Sequence, residues 1–295
     1  MPHLTDSDVT AAGKPRPGCR KQPQEQGWGR LGLGVPGLAH PLLAPAEWGE
    51  LSRSGAALDW VVLNVSGGRG DRKVSGGPGE RPDPHCLEAV GRLRNAGVCV
   101  LGHLDLCHAE RPHADLIGDA CHFLEWYRVD GFLLDRCPAD RAALSRVCRT
   151  TATLEVLSDG GRLVLGQGVH PHPGYAQAAD QLITFCGRWA DYRWSQVAEW
   201  TADHPAERFV HIVQGVPRTH LEEAARIARW QGAGTVFFTD RTEEAARTAH
   251  PEQTDDSVYS GYPGYSEQLT ENAAFDTLPG YWDEIVSQIG PGVSE

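Results

Sequence analysis

Eight short apolar runs, each followed by a polar or amphipathic stretch, constrain this chain more than any other feature of its sequence. They are 31–39 (LGLGVPGLA), 60–65 (WVVLNV), 98–104 (VCVLGHL), 131–135 (GFLLD), 162–168 (RLVLGQG), 181–185 (QLITF), 209–215 (FVHIVQG) and 235–240 (TVFFTD). Runs of four to eight apolar residues with little alternation read as strands covered on both faces, and the intervening helical patterns supply the covers. Eight such units, closed by a final helical pattern at 280–289, predict a (β/α)8 barrel of the TIM type. An open doubly wound sheet is the rival, and Gly32, Gly34 and Gly37 do spell GxGxxG. That motif lies inside the first predicted strand and is followed by two prolines instead of a helix start, so dinucleotide binding is not expected.

The boundaries follow from composition. Residues 1–29 read as a disordered leader, 30–295 as one barrel domain, and 242–275 as a flexible insert before the last helix. Of the net charge of −12, the stretch from Asp240 to Glu284 carries −9, from eleven acidic residues and two arginines. The acidity is therefore mostly a property of one polar loop. A chain this acidic is not expected to bind nucleic acid. The leader lacks an apolar core of seven or more residues, and no run reaches the length of a spanning helix, so a cytoplasmic protein with no membrane partner is expected. The eight cysteines form no CxxC pair and do not read as a disulfide scaffold; Cys99 and Cys121 are expected as buried thiols.

In a (β/α)8 barrel the chemistry gathers at the C-terminal ends of the strands. Those positions here hold His40, Asn64, His103 with Asp105, Asp135 with Arg136, Gln167 with His170, His211 with Gln214, and Thr239 with Asp240. Each alone could be a helix cap or a scaffold hydrogen bond; together they predict one polar cleft. Trp189, Tyr192 and Trp194 follow strand six and could stack on sugar rings, although the same spacing suits a helix packed on the barrel wall. His103, Asp105, Cys107, His108 and His113 lack HxxxH or CxxC spacing, so no metal is expected there, and no cofactor is expected. The glycine-rich stretch after strand two lacks the GK[ST] of a phosphate loop and reads as a flexible rim loop.

The order GVPGLAHPLLAPAEW, WVVLNVSGG, NAGVCVLGHLD, WYRVDGFLLDRCP, GYAQAADQLITF and LPGYWDEIVSQI resembles the spherulation-specific family four, the spherulin-type barrels, over residues 31–289. The resemblance implies a barrel related to glycoside hydrolases acting on polysaccharides that contain N-acetylgalactosamine. It also implies an Asp-Glu pair after strand four and a Glu after strand six. Asp135 matches the Asp, Arg136 stands in the place of the Glu, and Cys186 stands at or beside the third position. Glycoside hydrolysis needs a proton donor and a second carboxylate. Adjacent strands lie about 5 Å apart, so Asp105 is the candidate partner of Asp135, with His103 as an alternative proton carrier. Arg136 is expected to favour the charged form of a neighbouring carboxylate. The expected partner is a polysaccharide or oligosaccharide, with amino-sugar polymers first. Three functions fit these residues: a glycoside hydrolase, a non-catalytic saccharide-binding protein, and a developmental protein associated with spherulation or sporulation.

Overall fold

All eight apolar runs form strands in the computed structural model, which describes residues 31–54, 57–65, 76–242 and 273–289. The strands are β1 (Gly32–Val35), β2 (Leu58–Leu63), β3 (Val100–Asp105), β4 (Gly131–Asp135), β5 (Arg162–Gly166), β6 (Gln181–Arg188), β7 (Phe209–Gln214) and β8 (Thr235–Phe238). Each is hydrogen-bonded in parallel to its sequence neighbours, and β8 pairs with β1, so the sheet closes into a barrel in chain order. This is the (β/α)8 architecture that the buried-type runs predict. β1 is shorter than its run because Pro36 follows Val35 and has no N–H to give to a neighbouring strand.

Among the described residues the helices are α1 (Pro45–Arg53), α2 (Pro84–Asn95), α3 (His113–His122), α4 (Arg141–Leu157), α5 (Trp189–Tyr192), α6 (Leu221–Trp230) and α7 (Trp282–Ile289). Asp83 and Asp140 cap α2 and α4 by accepting two backbone N–H bonds each, which satisfies donors that the first turn leaves open. Residues 191–202, amphipathic in sequence, do not form one continuous helix: α5 ends at Tyr192 and a separate 3-10 turn covers Glu199–Asp203. Tyr192 is drawn into the barrel wall, Trp200 packs edge-on against Phe209 at 5.7 Å, and the Ser195 hydroxyl donates to the Tyr192 carbonyl at 2.8 Å. These separate anchors, with a local side-chain bond competing for a helical carbonyl, hold the backbone away from a continuous helix.

Gly32 and Gly34 serve packing. A β-carbon at Gly32 would fall 1.7 Å from the Asp59 carboxylate, and one at Gly34 would fall 2.4 Å from the Trp60 indole. Beside them a buried polar network joins three strands. Trp60 Nε1 donates to Gln181 Oε1 at 2.7 Å, Gln181 Nε2 donates to Thr235 Oγ1 at 3.0 Å, and Thr235 Oγ1 donates to Asp59 Oδ2 at 2.6 Å.

The expected leader, and all of the expected insert except residue 242 and its last three residues, lie outside the described residues. Those three form a short turn in which Ala274 and Phe275 are buried, Phe275 edge-on against Phe237. The end of the segment read as an insert therefore belongs to the core. One cysteine expectation also changes: Cys121 is exposed, whereas Cys99 is buried. Among the described residues no helix is long and apolar enough to cross a membrane.

Candidate functional site

The register of β3 and β4 sets the centre of the site. Asp105 and Asp135 are cross-strand partners at the last position of each strand, and His103 pairs with Leu133 two residues earlier. A β-carbon at Gly102 would meet the Phe123 ring at 2.8 Å, so Gly102 faces the outer helical layer. With the period of two, His103 and Asp105 face the barrel interior. Both Asp residues are nearly inaccessible, Asp105 at 1% and Asp135 at 3%.

The two carboxylates have different partners. Asp135 Oδ2 lies 3.2 Å from His103 Nε2, and Asp135 Oδ1 accepts the Arg136 backbone N–H at 2.8 Å, so Asp135 is not a helix cap. Asp105 is held by Arg136: Arg136 Nε donates to Oδ1 at 2.8 Å and Nη2 donates to Oδ2. The Cys107 backbone N–H adds a bond to Asp105 Oδ1 at 2.8 Å. Burial works against the guanidinium charge, but the hydrogen bonds and charge of Asp105 outweigh it and raise the Arg136 pKa. Arg136 has a left-handed backbone, with φ 47°, and Cys107, His108 and Ala109 form a run of three left-handed residues with φ 45°, 56° and 66°. Such residues cost of order 1–3 kcal/mol each and persist where surrounding contacts over-determine them. Here His108 N–H donates to the Arg136 carbonyl at 3.0 Å and the Cys107 thiol sits 3.0 Å from Arg136 Nη2.

Around this pair the described part of the rim is polar. Asn64 Oδ1 accepts the Gly77 N–H at 3.2 Å. Gly76, with φ 73°, passes so close that a β-carbon would lie 2.4 Å from His103 Nδ1 and 2.7 Å from Asn64 Oδ1. Residues 66–75 of the expected rim loop lie outside the described residues. Gln167 is buried at the end of β5, with Nε2 3.6 Å from the Cys137 thiol; its Oε1 has no hydrogen-bond partner among the described residues. On the opposite arc, Tyr192 Oη lies 2.8 Å from His211 Nδ1. Burial, with a smaller contribution from His170, pushes His211 down to about 3, and burial also lowers His170.

The structure thus brings together Asn64, His103, Asp105, Asp135 and Arg136. Five of the expected residues have other surroundings. His40 Nε2 lies 3.3 Å from the Cys86 thiol and 3.5 Å from Asp83. Trp189 is 8% exposed and packs on Tyr192 and His220 with the Arg193 guanidinium over its ring, as a wall residue would. Gln214 is buried at the end of β7 opposite Arg188, and Asp240 is exposed and accepts the Gly280 N–H at 3.4 Å. Trp194 is 80% exposed.

Cys186 lies within β6, which runs three residues beyond its apolar run and pairs Cys186 with Ile212. The apolar run ends at Phe185 because Gly187 and Arg188 carry no apolar signal, although Cys186 packs against the core. The run-based reading missed the Cys107 thiol and the Tyr192 hydroxyl as site contacts, which no spacing encodes.

The structure of Sph3 from Aspergillus clavatus in complex with GalNAc is similar, with a TM-score of 0.65 and 18% identity over 88% of this chain and 98% of that one. Active domain 2 of the thermostable chitinase from Pyrococcus furiosus, complexed with chito-oligosaccharides, aligns at a TM-score of 0.47 and 13% identity over 91% of this chain and all of that one. The maltogenic alpha-amylase AmyB from Thermotoga neapolitana aligns at 0.46 and 13% identity, over 83% and 75%. No curated protein matches this chain. The profile of spherulation-specific family 4 matches residues 45–289, from the start of α1 to the end of α7, and on that match the chain belongs to spherulation-specific family 4.

Proposed function

We propose that this protein is a carbohydrate-active barrel that binds an amino-sugar-containing oligosaccharide or polysaccharide at the β3–β4 rim, with glycoside hydrolysis weak or absent. The observation that carries this reading is the pairing of Asp105 with Arg136 next to the pairing of Asp135 with His103. The saccharide class is suggested by family membership and by the GalNAc complex of the similar Sph3 structure.

The reaction needs one group to protonate the leaving oxygen and another to act as nucleophile or base. Adjacent strand positions put Asp105 and Asp135 about 5 Å apart at the backbone, so their carboxyl groups are neighbours on one rim. Proximity is therefore not what is lacking. A carboxylate that accepts guanidinium donors at both oxygens has no proton to deliver, so Asp105 serves as the counter-ion of Arg136. Asp135 keeps a titratable neighbour in His103, and any residual turnover runs through that pair. Gln167 Oε1 offers an unspent acceptor to a sugar hydroxyl or amide.

The test is a panel of N-acetylgalactosamine and N-acetylglucosamine polymers, read both for retention of the protein and for release of reducing ends. Retention with release no faster than that of Asp135→Asn supports a binding protein. Rapid release abolished by Asp135→Asn overturns the weak-hydrolysis reading and makes Asp105→Asn the next variant. No retention on any polymer by the folded protein overturns the saccharide reading and favours a developmental role through other partners.

A further inference from the structure

Away from the β3–β4 rim, two chain segments bring a histidine, a carboxylate and a thiol to one point. His40 stands on the loop after β1, Asp83 caps α2, and Cys86 is buried in the first turn of α2. His40 Nε2 lies 3.3 Å from Cys86 Sγ and 3.5 Å from Asp83 Oδ1, and one ligand atom from each residue lies within 4.8 Å of the others. We propose that His40, Asp83 and Cys86 form a binding site for a zinc-type divalent transition-metal ion, which ties the β1–α1 loop to the start of α2.

The distances suit the chemistry. Zinc bonds of about 2.0–2.1 Å to nitrogen, 2.3 Å to sulfur and 2.0–2.2 Å to oxygen, at tetrahedral angles, place nitrogen about 3.5 Å from sulfur and about 3.4 Å from oxygen. The two measured edges agree with these values within about 0.2 Å. A nitrogen, a sulfur and one carboxylate select a borderline-soft ion over magnesium or calcium, which take oxygen ligands. The two capping bonds to Asp83, from the His85 and Cys86 amides, end on Oδ1, the same oxygen that lies 3.5 Å from His40 Nε2, so they hold the carboxylate at the site. His40 and Asp83 side chains are 25% and 29% exposed, which gives an ion a path from solvent and leaves room for a water as fourth ligand.

Binding has a defined proton balance. The Cys86 thiol gives its proton to solvent as the metal–sulfur bond forms, and the thiolate and the Asp83 carboxylate neutralise the two charges of the ion. Coordination through Nε2 places the imidazole proton on Nδ1, so the 3.3 Å bond that Nδ1 accepts from the Leu42 amide is given up. The competing arrangement, a metal-free hydrogen-bonded triad of the same three groups, has the same distances, so the experiment must detect the ion itself.

The full chain, stripped of metal, is titrated with Zn²⁺ by calorimetry and with Co²⁺ by absorption. Cys86→Ser and His40→Gln are run in parallel, with Cys121→Ser as the exposed-thiol control. The proposal expects one equivalent bound, a thiolate-to-cobalt charge-transfer band, and heat that varies with the ionisation enthalpy of the buffer because a proton is released. Cys86→Ser abolishes the band, His40→Gln weakens binding at least tenfold, and the control keeps both. His40→Gln changes a partly exposed loop residue, so it reports on the site even where Cys86→Ser unfolds the core. Failure to saturate by about 1 mM Zn²⁺, or a band and affinity unchanged in Cys86→Ser and His40→Gln, overturns the site.

Discussion

Arg136 turns back across one strand to hold Asp105, the cross-strand neighbour of the residue that precedes it, Asp135. The left-handed backbone at Arg136 makes that reach possible. The pair has a stability role separable from any role toward a ligand, because both partners are largely removed from water, at 17% and 0% side-chain exposure.

Breaking the pair on one side strands a buried carboxylate. Arg136→Leu is expected to lower unfolding free energy by about 3–5 kcal/mol, the usual cost of leaving one member of a buried pair alone. The double variant Arg136→Leu/Asp105→Leu should recover part of that loss. Urea denaturation of both single variants and the double variant closes the cycle. A double variant destabilised by the sum of the two singles, or by more, would show that the charges are not coupled as described.

Acid should destabilise the fold through His211. Its ordinary pKa of 6.5 is pushed to about 3 in the folded state, with burial the larger cause. Between those values the unfolded chain binds a proton that the folded chain does not, so stability falls as pH drops through this window, by about 1.4 kcal/mol per pH unit from this residue. His170, also lowered, adds in the same direction. Thermal melts from pH 7 to pH 4 on the wild type and His211→Gln provide the check, and the variant should show the shallower slope.

The network under the barrel predicts a cost for an apolar replacement. Gln181→Leu removes the acceptor of Trp60 Nε1 and the donor to Thr235 and to the Glu207 carbonyl. Buried groups left without partners cost about 1–3 kcal/mol each, so a loss of about 2–4 kcal/mol is expected in chemical denaturation. A neutral outcome would mean that water re-satisfies these groups.

Gly76 couples the β2–α2 loop to the rim. Gly76→Ala places a β-carbon against His103 and Asn64 at a φ of 73°. It is expected to cost about 1–3 kcal/mol and to weaken saccharide retention several-fold. Gly91→Ala, in the interior of α2 where a β-carbon meets nothing within 4 Å, is the control: it should leave retention unchanged and raise stability by about 0.5–1 kcal/mol.

The barrel was legible in the sequence because strands of a closed parallel sheet are covered on both sides. Burial on both faces leaves a local record, a short apolar run, that needs no knowledge of neighbours. The rim residues were legible for a related reason: the polar end of each run marks where the strand leaves the core. β6 shows the limit, since its last three residues are paired by β7 and not by their own hydrophobicity.

Tertiary structure alone decided which polar groups meet. Nothing in the spacing of residues 103–136 assigns Arg136 to Asp105 and His103 to Asp135 rather than the reverse; the backbone angle at Arg136 and the strand register do. His40 reads from sequence as a rim residue, yet it meets Asp83 and Cys86 across more than forty positions because loop and helix cap are packed together. Periodicity follows from burial, which each residue experiences singly. Hydrogen-bond and ion-pair partners depend on relative position and rotamer, which exist only once the chain has closed on itself.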